Sequence, residues 1–545
     1  MKRLFLFISF FLVLILSAQI LAQTSFSPTM ASRLMTFDSG GLLNAGTEVL
    51  LPESDSAAFS RNFGMKTLRL LDGVYYQVLS SKKSGSSWKV YLRKSQNGIN
   101  WGELVRVGDS PADSNEFLPG IYVWKKNGNV NVGVTYQDNR DGNYQLRFAL
   151  STDGGNTFNS SVAISSHSNA DYINNGALEG KGDTLVACWV PRFGGTYSKT
   201  FFNFSTDGGQ TWNQMVQAFS GGSYSGVSDL SIDSNGNVWV VIAADQYYRK
   251  NLVVRHTTNL GTTWQTKTPV TNQPIPNVNI FQQIKSVNDK IYVIWCHISN
   301  YAVPWTDSIF FSMSSDEGNS WRTQSHVSDT DTIMNGNTTS PVYCHPSFDI
   351  TTDGTIYAVW ADSRERHAST VDSSKFNIYI SRSTDDGLTW SPSIRVNDSN
   401  FVYNRNYYAD ISVKSNGGID SVLVTWTKYR NTSTTGIFQN EYGLPTQFYL
   451  EQNYPNPFNP TTKIRFSIPR STEYHSVQQN VTLKVYDILG NEVATLVNEY
   501  KEPGNYEVEF STGSFGDAKN LPSGMYIYRL QAGNFSQTRK MVLLR

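Results

Sequence analysis

The feature that most constrains the fold of this chain is a short string that recurs along it. Ser151–Phe158 reads STDGGNTF, and Ser205–Trp212 reads STDGGQTW, 54 residues further on. Four related strings bring the number of copies to six. We number them boxes 1 to 6 in chain order: Ser95–Trp101, Ser151–Phe158, Ser205–Trp212, Thr257–Trp264, Ser314–Trp321 and Ser383–Trp390. Their final aromatic residues, at positions 101, 158, 212, 264, 321 and 390, lie 52 to 69 residues apart, a period typical of repeat proteins.

The residues between the boxes repeat as well. Upstream of a box, two apolar segments flank a polar turn, as in Leu230–Ala243 and Phe348–Ala361. A third apolar segment leads into the box and a fourth leaves it, so each unit predicts four short antiparallel strands joined by Asn, Asp and Gly turns. Radial repetition of such units gives a β-propeller, which leaves few strand edges exposed. The predicted fold class is therefore all-β.

The number of blades is inferred from the segments that lie before and after the six boxed units. The six boxed units run from about Lys66 to Asp398. After them, Ala409–Arg430 resembles the first two strands of another unit, and Gly436–Asn440 is a candidate third strand. Near the N-terminus, Thr47–Ser54 resembles the fourth strands that follow the boxes. We predict seven blades, the seventh closed by both ends of the chain; six blades are the alternative.

The residues of each box have local structural tasks. The acidic position can accept hydrogen bonds across the turn, the glycine allows a left-handed backbone, and the final aromatic ring can pack under the blade. A catalytic motif would not need six copies, nor would it tolerate Asn259 in place of the carboxylate. We predict structural roles for these positions: Asp153, Asp207, Asn259, Asp316, Asp385, Trp212, Trp264, Trp321 and Trp390.

The boxes resemble the Asp-box family, also called the bacterial neuraminidase repeat, whose pattern is S-x-D-x-G-x-T-W. Box 3 keeps the pattern in full, and box 2 has Phe158 in place of the tryptophan. The resemblance covers about Thr47 to Asn440 and implies a sialidase-like propeller with the boxes on the face opposite the active site. It is less specific for activity, because the same boxes occur in proteins that are not sialidases.

Two equivalent strings follow predicted second strands: YQDNRDG at Tyr136–Gly142 and WADSRER at Trp360–Arg366. Both place an arginine two residues after an aspartate, on the face opposite the boxes. By the resemblance, a sialidase-type site would need three arginines to hold a substrate carboxylate, a tyrosine nucleophile with a Glu partner, and an aspartate acid/base. The candidate catalytic residues are Arg140, Arg364, Arg405, Asp362 and Tyr408.

Two observations weigh against catalysis. The F/Y-R-I-P motif that carries the first arginine of sialidases is absent, and the nearest stretch, Gly64–Gly73, has no proline. Equivalent Asp-x-Arg pairs in several units also fit ion pairs that steady neighbouring loops, because catalytic residues usually break a repeat.

Other polar and aromatic residues of the same face are candidates for sugar binding, with burial under long loops as the alternative. They are Arg192, Arg249, Tyr172, Tyr224 and Tyr343.

Both ends of the chain carry export signals. Residues 1–22 begin with Lys2 and Arg3, continue with an apolar stretch and reach small residues at Ala18 and Ala22, which predicts a secretory signal peptide; an uncleaved membrane anchor is the alternative. From residue 443 onward, the strings YPNPFNPTT, VYDILGNEV, LPSGMYIYRL and KMVLL resemble the type A C-terminal sorting domain of type IX secretion substrates. That resemblance implies a Gram-negative bacterium, a partner in the type IX secretion machinery, and secretion or surface attachment.

The predicted organisation is thus a signal peptide at 1–22, a propeller at 23–442 and a small Ig-like β-sandwich at 443–545. The chain has 45 basic and 45 acidic residues, which argues against nucleic-acid binding. Its three cysteines predict buried thiols or one disulfide, with a zinc site from the Cys–His pairs at 296–297 and 344–345 as the alternative. No motif indicates a cofactor, Ca²⁺ or another metal.

Three functions follow from these observations. The first is an exported propeller that binds an extracellular glycan or another surface ligand without cleaving it. The second is a glycoside hydrolase of the exo-α-sialidase type, and the third is a structural or adhesive surface protein. In the mature chain we expect no membrane span.

Overall fold

The computed structural model describes the chain in segments. These are residues 26–51, 56–59, 65–83, 86–194, 196–197, 199–220, 228–245, 250–271, 278–299, 305–329, 332–334, 344–362, 364, 376–398, 405–431, 448–453, 455–468, 479–501, 504–512, 521–533 and 535–544. Every regular element within these segments is a β-strand. The chain divides into two compact units, Met1–Arg430 and Asn431–Arg545. The expected signal peptide at 1–22 and the expected boundary at 442–443 lie outside the described residues.

The first unit is a β-propeller of seven blades, each an antiparallel sheet. The first three strands in the sequence belong to blade 7, which is described last. They are β1 (Phe26–Asp38), β2 (Gly41–Asn44) and β3 (Val49–Leu51). Blade 1 contains β4 (Ser56–Phe59), β5 (Leu68–Leu71), β6 (Val74–Lys83), β7 (Lys89–Ser95) and β8 (Val105–Arg106). Blade 2 contains β9 (Glu116–Lys126), β10 (Asn129–Asp138), β11 (Gln145–Ser151) and β12 (Val162–Ala163). Blade 3 contains β13 (Tyr172–Lys181), β14 (Thr184–Phe193), β15 (Thr196–Tyr197), β16 (Lys199–Ser205) and β17 (Val216–Ser220).

The next three blades continue the same plan. Blade 4 contains β18 (Ser228–Ile232), β19 (Val238–Asp245), β20 (Lys250–Thr257) and β21 (Gln265–Thr266). Blade 5 contains β22 (Val278–Val287), β23 (Lys290–Ser299), β24 (Trp305–Ser314), β25 (Ser325–His326) and β26 (Thr332–Met334). Blade 6 contains β27 (Ser347–Ile350), β28 (Ile356–Asp362), β29 (Asn377–Ser383) and β30 (Ile394–Arg395). Blades 4 and 5 also touch through one parallel pair, Lys250 with Val278.

Blade 7 is built from both ends of the propeller sequence. Its inner two strands are β31 (Arg405–Asn416) and β32 (Ile419–Asn431), and the strand order is β31, β32, β1, β2, with β3 also paired to β1. The N-terminal closure and the count of seven are thus confirmed. The third strand differs from the prediction: β1 occupies the place expected for Gly436–Asn440, which lie outside the described residues. Pairing the two ends of the propeller sequence in one sheet removes the edges that an open ring would leave.

The apolar core lies between consecutive blades. The second strands of several blades carry a large aromatic residue that is almost completely buried: Tyr136, Trp189, Trp295, Trp360 and Trp426. Their polar atoms are hydrogen-bonded, as burial requires. The indole N–H of Trp295 donates to Asn279 Oδ1 at 2.8 Å, and that of Trp426 donates to Asn406 Oδ1 at 3.0 Å. Both bonds join strands of the same blade, so these two large rings are buried with their polar ends satisfied.

The boxes form tight turns between the third and fourth strands. In box 3, Asp207 accepts the backbone N–H of Thr211 at 3.0 Å and the Thr211 hydroxyl at 2.6 Å. The Ser205 hydroxyl donates to Asp207 at 2.7 Å and accepts the N–H of Gly209 at 2.9 Å. Box 4 forms the same turn with Asn259, whose Oδ1 accepts the Thr263 N–H at 2.9 Å. A neutral amide therefore suffices for this turn geometry.

The boxes also join each blade to the one before it. The ring of Trp212 in box 3 lies 5.1 Å from the ring of Phe148 in β11 of blade 2. Gly209 has φ +85°, and a Cβ at this position would lie 2.3 Å from Phe148, so both the backbone and the neighbouring blade require glycine. Box 6 repeats the arrangement, with Trp390 5.3 Å from Phe311 of blade 5. The expected structural role of the boxes thus has a physical basis.

Changing Asp207 to asparagine is expected to lower stability in a pH-dependent way. Although burial raises it, the hydrogen bonds from Thr211 and Ser205 lower the pKa of Asp207 to about 2. A carboxyl group with a lowered folded-state pKa stabilises the fold above its ordinary pKa of 3.8, and this contribution is lost as the pH falls toward about 2. At pH 7 we expect the Tm of Asp207→Asn to be lower by about 2 °C, with the difference shrinking between pH 4 and pH 2. Thermal unfolding over this range measures it.

The reciprocal change, Asn259→Asp in box 4, is the matched control. It places a carboxylate in an existing box turn and should add the same pH dependence. Equal pH profiles for the original protein and both variants would show that the charge of the box has no effect on stability.

A disulfide joins blades 5 and 6. It links Cys296 in β23 to Cys344, which precedes β27, across a sequence separation of 48 residues. Both sulfur atoms are consumed in this bond, so they are not thiolate ligands for the zinc site considered as the alternative. The third cysteine, Cys188, is buried in β14. A disulfide is typical of proteins that mature in an oxidising compartment.

The second unit is a sandwich of two antiparallel sheets. Its strands are β33 (Tyr449–Leu450), β34 (Thr461–Ile468), β35 (Gln479–Tyr486), β36 (Glu492–Lys501), β37 (Gly504–Ser511), β38 (Gly524–Ala532) and β39 (Phe535–Leu543). One sheet has the order β33-β34-β37 and the other β36-β35-β38-β39, and one apolar core lies between them. The backbone N–H of Phe458 donates to Val542 at 2.9 Å, so the proline-rich segment holds the last strand.

Candidate functional site

The candidate site is the face of the propeller opposite the boxes. Because box turns follow the third strand of each blade, the ends of the second strands and the connections between blades lie on the other side. We call this side the open face. Arg140, Arg192 and Arg364 all lie at or just after the end of a second strand, in blades 2, 3 and 6.

Arg140 is held between two carboxylates. Its Nε donates to Asp138 at 2.7 Å and its Nη2 donates to Asp109 at 2.6 Å. Asp109 follows the last strand of blade 1, so the arginine joins two blades. Burial raises the pKa of Asp109, but hydrogen bonds from Arg140 and Ser161 bring it below its ordinary value. The Nε and Nη2 groups of Arg140 are therefore engaged in charge-assisted contacts within the protein.

Arg364 repeats this arrangement in blade 6. Its Nε donates to Asp362 at 2.9 Å, and it also forms an ion pair with Asp329, which follows the fourth strand of blade 5. Asp329 in turn accepts the Ser393 hydroxyl at 2.7 Å, just as Asp109 accepts the Ser161 hydroxyl at 2.6 Å. The two Asp-x-Arg pairs are thus equivalent clamps between consecutive blades. Asp362 is 3% exposed and its carboxylate is occupied by Arg364.

The partner aspartates were not predicted, although the sequence contains a signal for them. Asp109 lies eight residues after Trp101, and Asp329 lies eight residues after Trp321. Asp398 has the same spacing from Trp390, and it forms an ion pair with Arg33 of β1 in blade 7. An aspartate at this distance from a box therefore marks a blade whose next neighbour supplies an arginine.

Tyr408 lies in a buried bulge of β31. Its backbone has φ 56°, and its side chain is 5% exposed. Its ring packs 4.8 Å from His345 and 5.9 Å from Tyr407. Bulge residues of other inner strands have the same left-handed backbone, as with Leu118 at φ 52° and Phe281 at φ 56°. Since two of the equivalents are apolar, this position serves packing. Arg405 begins β31, where it pairs with Tyr429.

Two predicted binding residues, Tyr172 and Arg192, are neighbours in blade 3. They are directly opposed in the pairing of β13 with β14, which places their side chains on one face of the sheet. The guanidinium of Arg192 lies 5.5 Å from the centre of the Tyr172 ring, and its Nε donates to Asp171 Oδ1 at 3.1 Å. The ring of Tyr144, from the loop before β11 of blade 2, lies 5.6 Å from Tyr172. We call these four residues the Tyr172 corner.

The Tyr172 corner combines two aromatic rings with one ion pair. The two rings are half-buried, while the side chain of Asp171 is 41% exposed and that of Arg192 is 19% exposed. Aromatic faces pack against sugar C–H groups, and the ion pair offers a donor and an acceptor beside them. Asp171 and Tyr144 were not predicted; only the folded connection between blades 2 and 3 brings them to Tyr172. Arg249, Tyr224 and Tyr343 lie outside the described residues.

Among the residues that the structure describes, no group of three or more His, Cys, Asp or Glu residues is arranged to hold a metal ion. A cavity of about 510 Å³ lies beside box 1 in blade 1. It is lined by Val74, Tyr76, Lys94, Ser95, Gln96, Asn97 and Asn100. Lys94 in this lining already donates to Gly154 at 2.9 Å and to Asn156 at 2.7 Å in box 2.

In the described part of the chain, no helix is long and apolar enough to cross a membrane.

A family model identifies the second unit. Residues 452–544 match the secretion system C-terminal sorting domain. This confirms the resemblance of the C-terminal segment to type IX sorting domains. It implies that the protein is secreted or attached to the cell surface and that the domain interacts with the type IX secretion machinery. No curated protein matches the chain.

Solved structures similar to this chain are distant in sequence. A Dyadobacter fermentans protein of unknown function has 11% identity and a TM-score of 0.36, covering 70% of this chain and 99% of that one. A Penicillium chrysogenum α-L-arabinanase complexed with arabinobiose has 14% identity and a TM-score of 0.40, covering 59% and 96%. The Hadza microbial sialidase Hz136 has 12% identity and a TM-score of 0.35, covering 74% and 90%.

Proposed function

We propose that this exported propeller binds an extracellular glycan through the Tyr172 corner on its open face. The observation that carries the proposal is the grouping of Tyr144, Asp171, Tyr172 and Arg192 between blades 2 and 3. It combines two half-buried rings with a half-buried donor and an exposed acceptor, which is the chemistry that sugar hydroxyls and ring faces require. We further propose that the boxes make this an Asp-box propeller and that residues 1–22 are its signal peptide.

The hydrolase alternative gains no support from the described side chains. A sialidase-type clamp needs guanidinium groups that point at a substrate carboxylate, whereas Arg140 and Arg364 each bind two carboxylates of the protein. The tyrosine proposed as nucleophile, Tyr408, packs among buried rings. We therefore propose that Arg140 and Arg364 are clamps between blades, and that binding without cleavage is the function.

Replacing Tyr172 with alanine is expected to weaken glycan binding about tenfold or more, because a stacking ring at the centre of a site contributes more than ~1 kcal/mol. A glycan array identifies a bound glycan, and titration calorimetry with that glycan measures the affinity. Tyr500→Ala is the matched control, since Tyr500 is a 67% exposed tyrosine in the sorting domain. Equal affinities of the two variants would contradict the proposed site, and absence of binding to every glycan would contradict the proposed function.

A further inference from the structure

The ion pair in the Tyr172 corner bears on which glycans fit there. Asp171 precedes β13, and its backbone N–H donates to the carbonyl of Arg192 at 3.0 Å. The side chains of the same two residues are joined by the 3.1 Å contact between Nε and Oδ1. Asp171 is thus fixed by its own backbone next to the guanidinium. This ion pair places a positive and a negative group side by side and by itself carries no net charge.

This arrangement suits hydroxyl groups and opposes carboxylates. A sugar hydroxyl is both donor and acceptor, so a pair of neighbouring hydroxyls can donate to Asp171 and accept from Arg192. A ligand carboxylate only accepts, and next to Arg192 it would meet the Asp171 carboxylate. Two like charges at such a distance repel each other, and more strongly near a protein surface than in bulk water. The repulsion between an acidic sugar and Asp171 therefore offsets the attraction between that sugar and Arg192.

Arg140 and Arg364 add no surplus of positive charge to the open face. Arg140 is paired with Asp109 and Asp138, and each such group of one guanidinium and two carboxylates carries a net charge of −1. Arg364 with Asp329 and Asp362 is the same group in blade 6. Long-range attraction of an anionic polymer needs a surplus of positive charge. Because each of these two clamps carries a net negative charge, they repel an anionic polymer.

We infer that the Tyr172 corner selects uncharged glycans and discriminates against glycans that carry carboxylates. The inference rests on the proposed function and names the ligand class of the same site. The two rings supply stacking, which does not depend on ligand charge. Asp171 and Arg192 form hydrogen bonds with a pair of neutral hydroxyls. Asp171 is the residue that excludes the acidic ligand.

A chemically matched pair of polymers tests the inference with the full chain. Polygalacturonate and its carboxyl-reduced form have the same linkages and differ only in a carboxylate replaced by CH₂OH. Lactose and sialyllactose form a second pair, in which the acidic member carries an added sialic acid residue. We expect at least tenfold tighter binding to the uncharged member of a bound pair, with an affinity that changes little between 50 and 300 mM NaCl. Affinity electrophoresis and titration calorimetry measure these values.

Asp171→Asn separates charge from shape. The amide keeps an oxygen acceptor beside Arg192 but removes the negative charge, so the preference for the uncharged member should fall at least threefold in this variant. Tyr500→Ala should keep the original preference. If the original protein binds the acidic member more tightly, and salt weakens that binding, the inference is wrong while glycan binding stands. If it binds neither member of either pair and no glycan on the array, both the inference and the proposed function are wrong.

Discussion

Replacing Asp410 with alanine is expected to lower the free energy of unfolding of the propeller by about 4 kcal/mol. Asp410 lies in β31 of blade 7 and is completely buried. Its carboxylate accepts the backbone N–H groups of Thr67 at 2.7 Å and Leu68 at 3.0 Å, both from blade 1. It also accepts the hydroxyl of Ser347 in blade 6 at 2.8 Å. One side chain therefore joins three consecutive blades where the ring closes.

The loss would leave a buried cation without its partner. Lys66 Nζ lies 3.1 Å from Asp410 Oδ1, and its side chain is 12% exposed. It also donates to Ser347 Oγ at 3.0 Å and to the Phe348 carbonyl at 2.9 Å. Removing the carboxylate leaves this ammonium group without its anionic partner and two buried backbone N–H groups without their acceptor. Such uncompensated groups are the most costly result of a single substitution.

Urea unfolding followed by tryptophan fluorescence measures this effect for the propeller alone, because all 13 tryptophans precede residue 431. Asp420→Ala is the matched control. Asp420 is also a buried aspartate of blade 7, but its one hydrogen bond given by the structure comes from the Tyr357 hydroxyl at 2.8 Å, so about 1 kcal/mol is expected. Should Asp410→Ala not fold, Asp410→Asn keeps one acceptor and should rank between the two. Equal losses for Asp410→Ala and Asp420→Ala would refute the closure role.

Breaking the disulfide is expected to have the second largest effect. The bond closes a loop with a sequence separation of 48 residues between Cys296 and Cys344. Constraining a loop of this length in the unfolded chain stabilises the native state by about 2 to 4 kcal/mol. Cys344→Ser should lower the free energy of unfolding by that amount. It should also abolish the effect of a thiol reductant on the urea midpoint.

Cys188→Ala serves as the control for the thiol chemistry. This variant removes a buried cysteine that is outside the disulfide, so it should keep the full response to reductant. The prediction is contradicted if reductant shifts the midpoint of Cys344→Ser as much as that of the original protein, or if it shifts neither. Mass spectrometry after alkylation checks that the pair is oxidised before the measurement.

Much of the fold was predictable because its signals are local. The apolar run Val238–Ala243 and the turn chemistry of Ser205–Trp212 each occupy fewer than ten residues. Backbone preference and side-chain alternation act over such short windows, so strands and turns follow directly. Recurrence of the same window then predicted the propeller. The third strand of blade 7 was missed because β1 carries no box and reaches its place only by pairing with β32.

The candidate site was less predictable. Tyr172 and Arg192 were predicted separately, but their contact depends on the register of β13 with β14. The aspartates that occupy Arg140 and Arg364 come from preceding blades, 31 and 35 residues away. An arginine pattern alone fits both a substrate clamp and a structural clamp. The choice depends on which carboxylate is near, and that is a tertiary property.

By itself, the sequence determined that this protein is a repeated all-β chain with a sorting domain, since the box, the strand pattern and the C-terminal strings are each contained in short segments. Only the tertiary structure decided what those segments do together. In the tertiary structure the box glycine contacts the preceding blade, and Arg140 and Arg364 pair with carboxylates of the protein. The four residues of the Tyr172 corner come together only there. The physical reason is that backbone preferences are set by neighbours in sequence, whereas charge pairing and ring packing are set by neighbours in space.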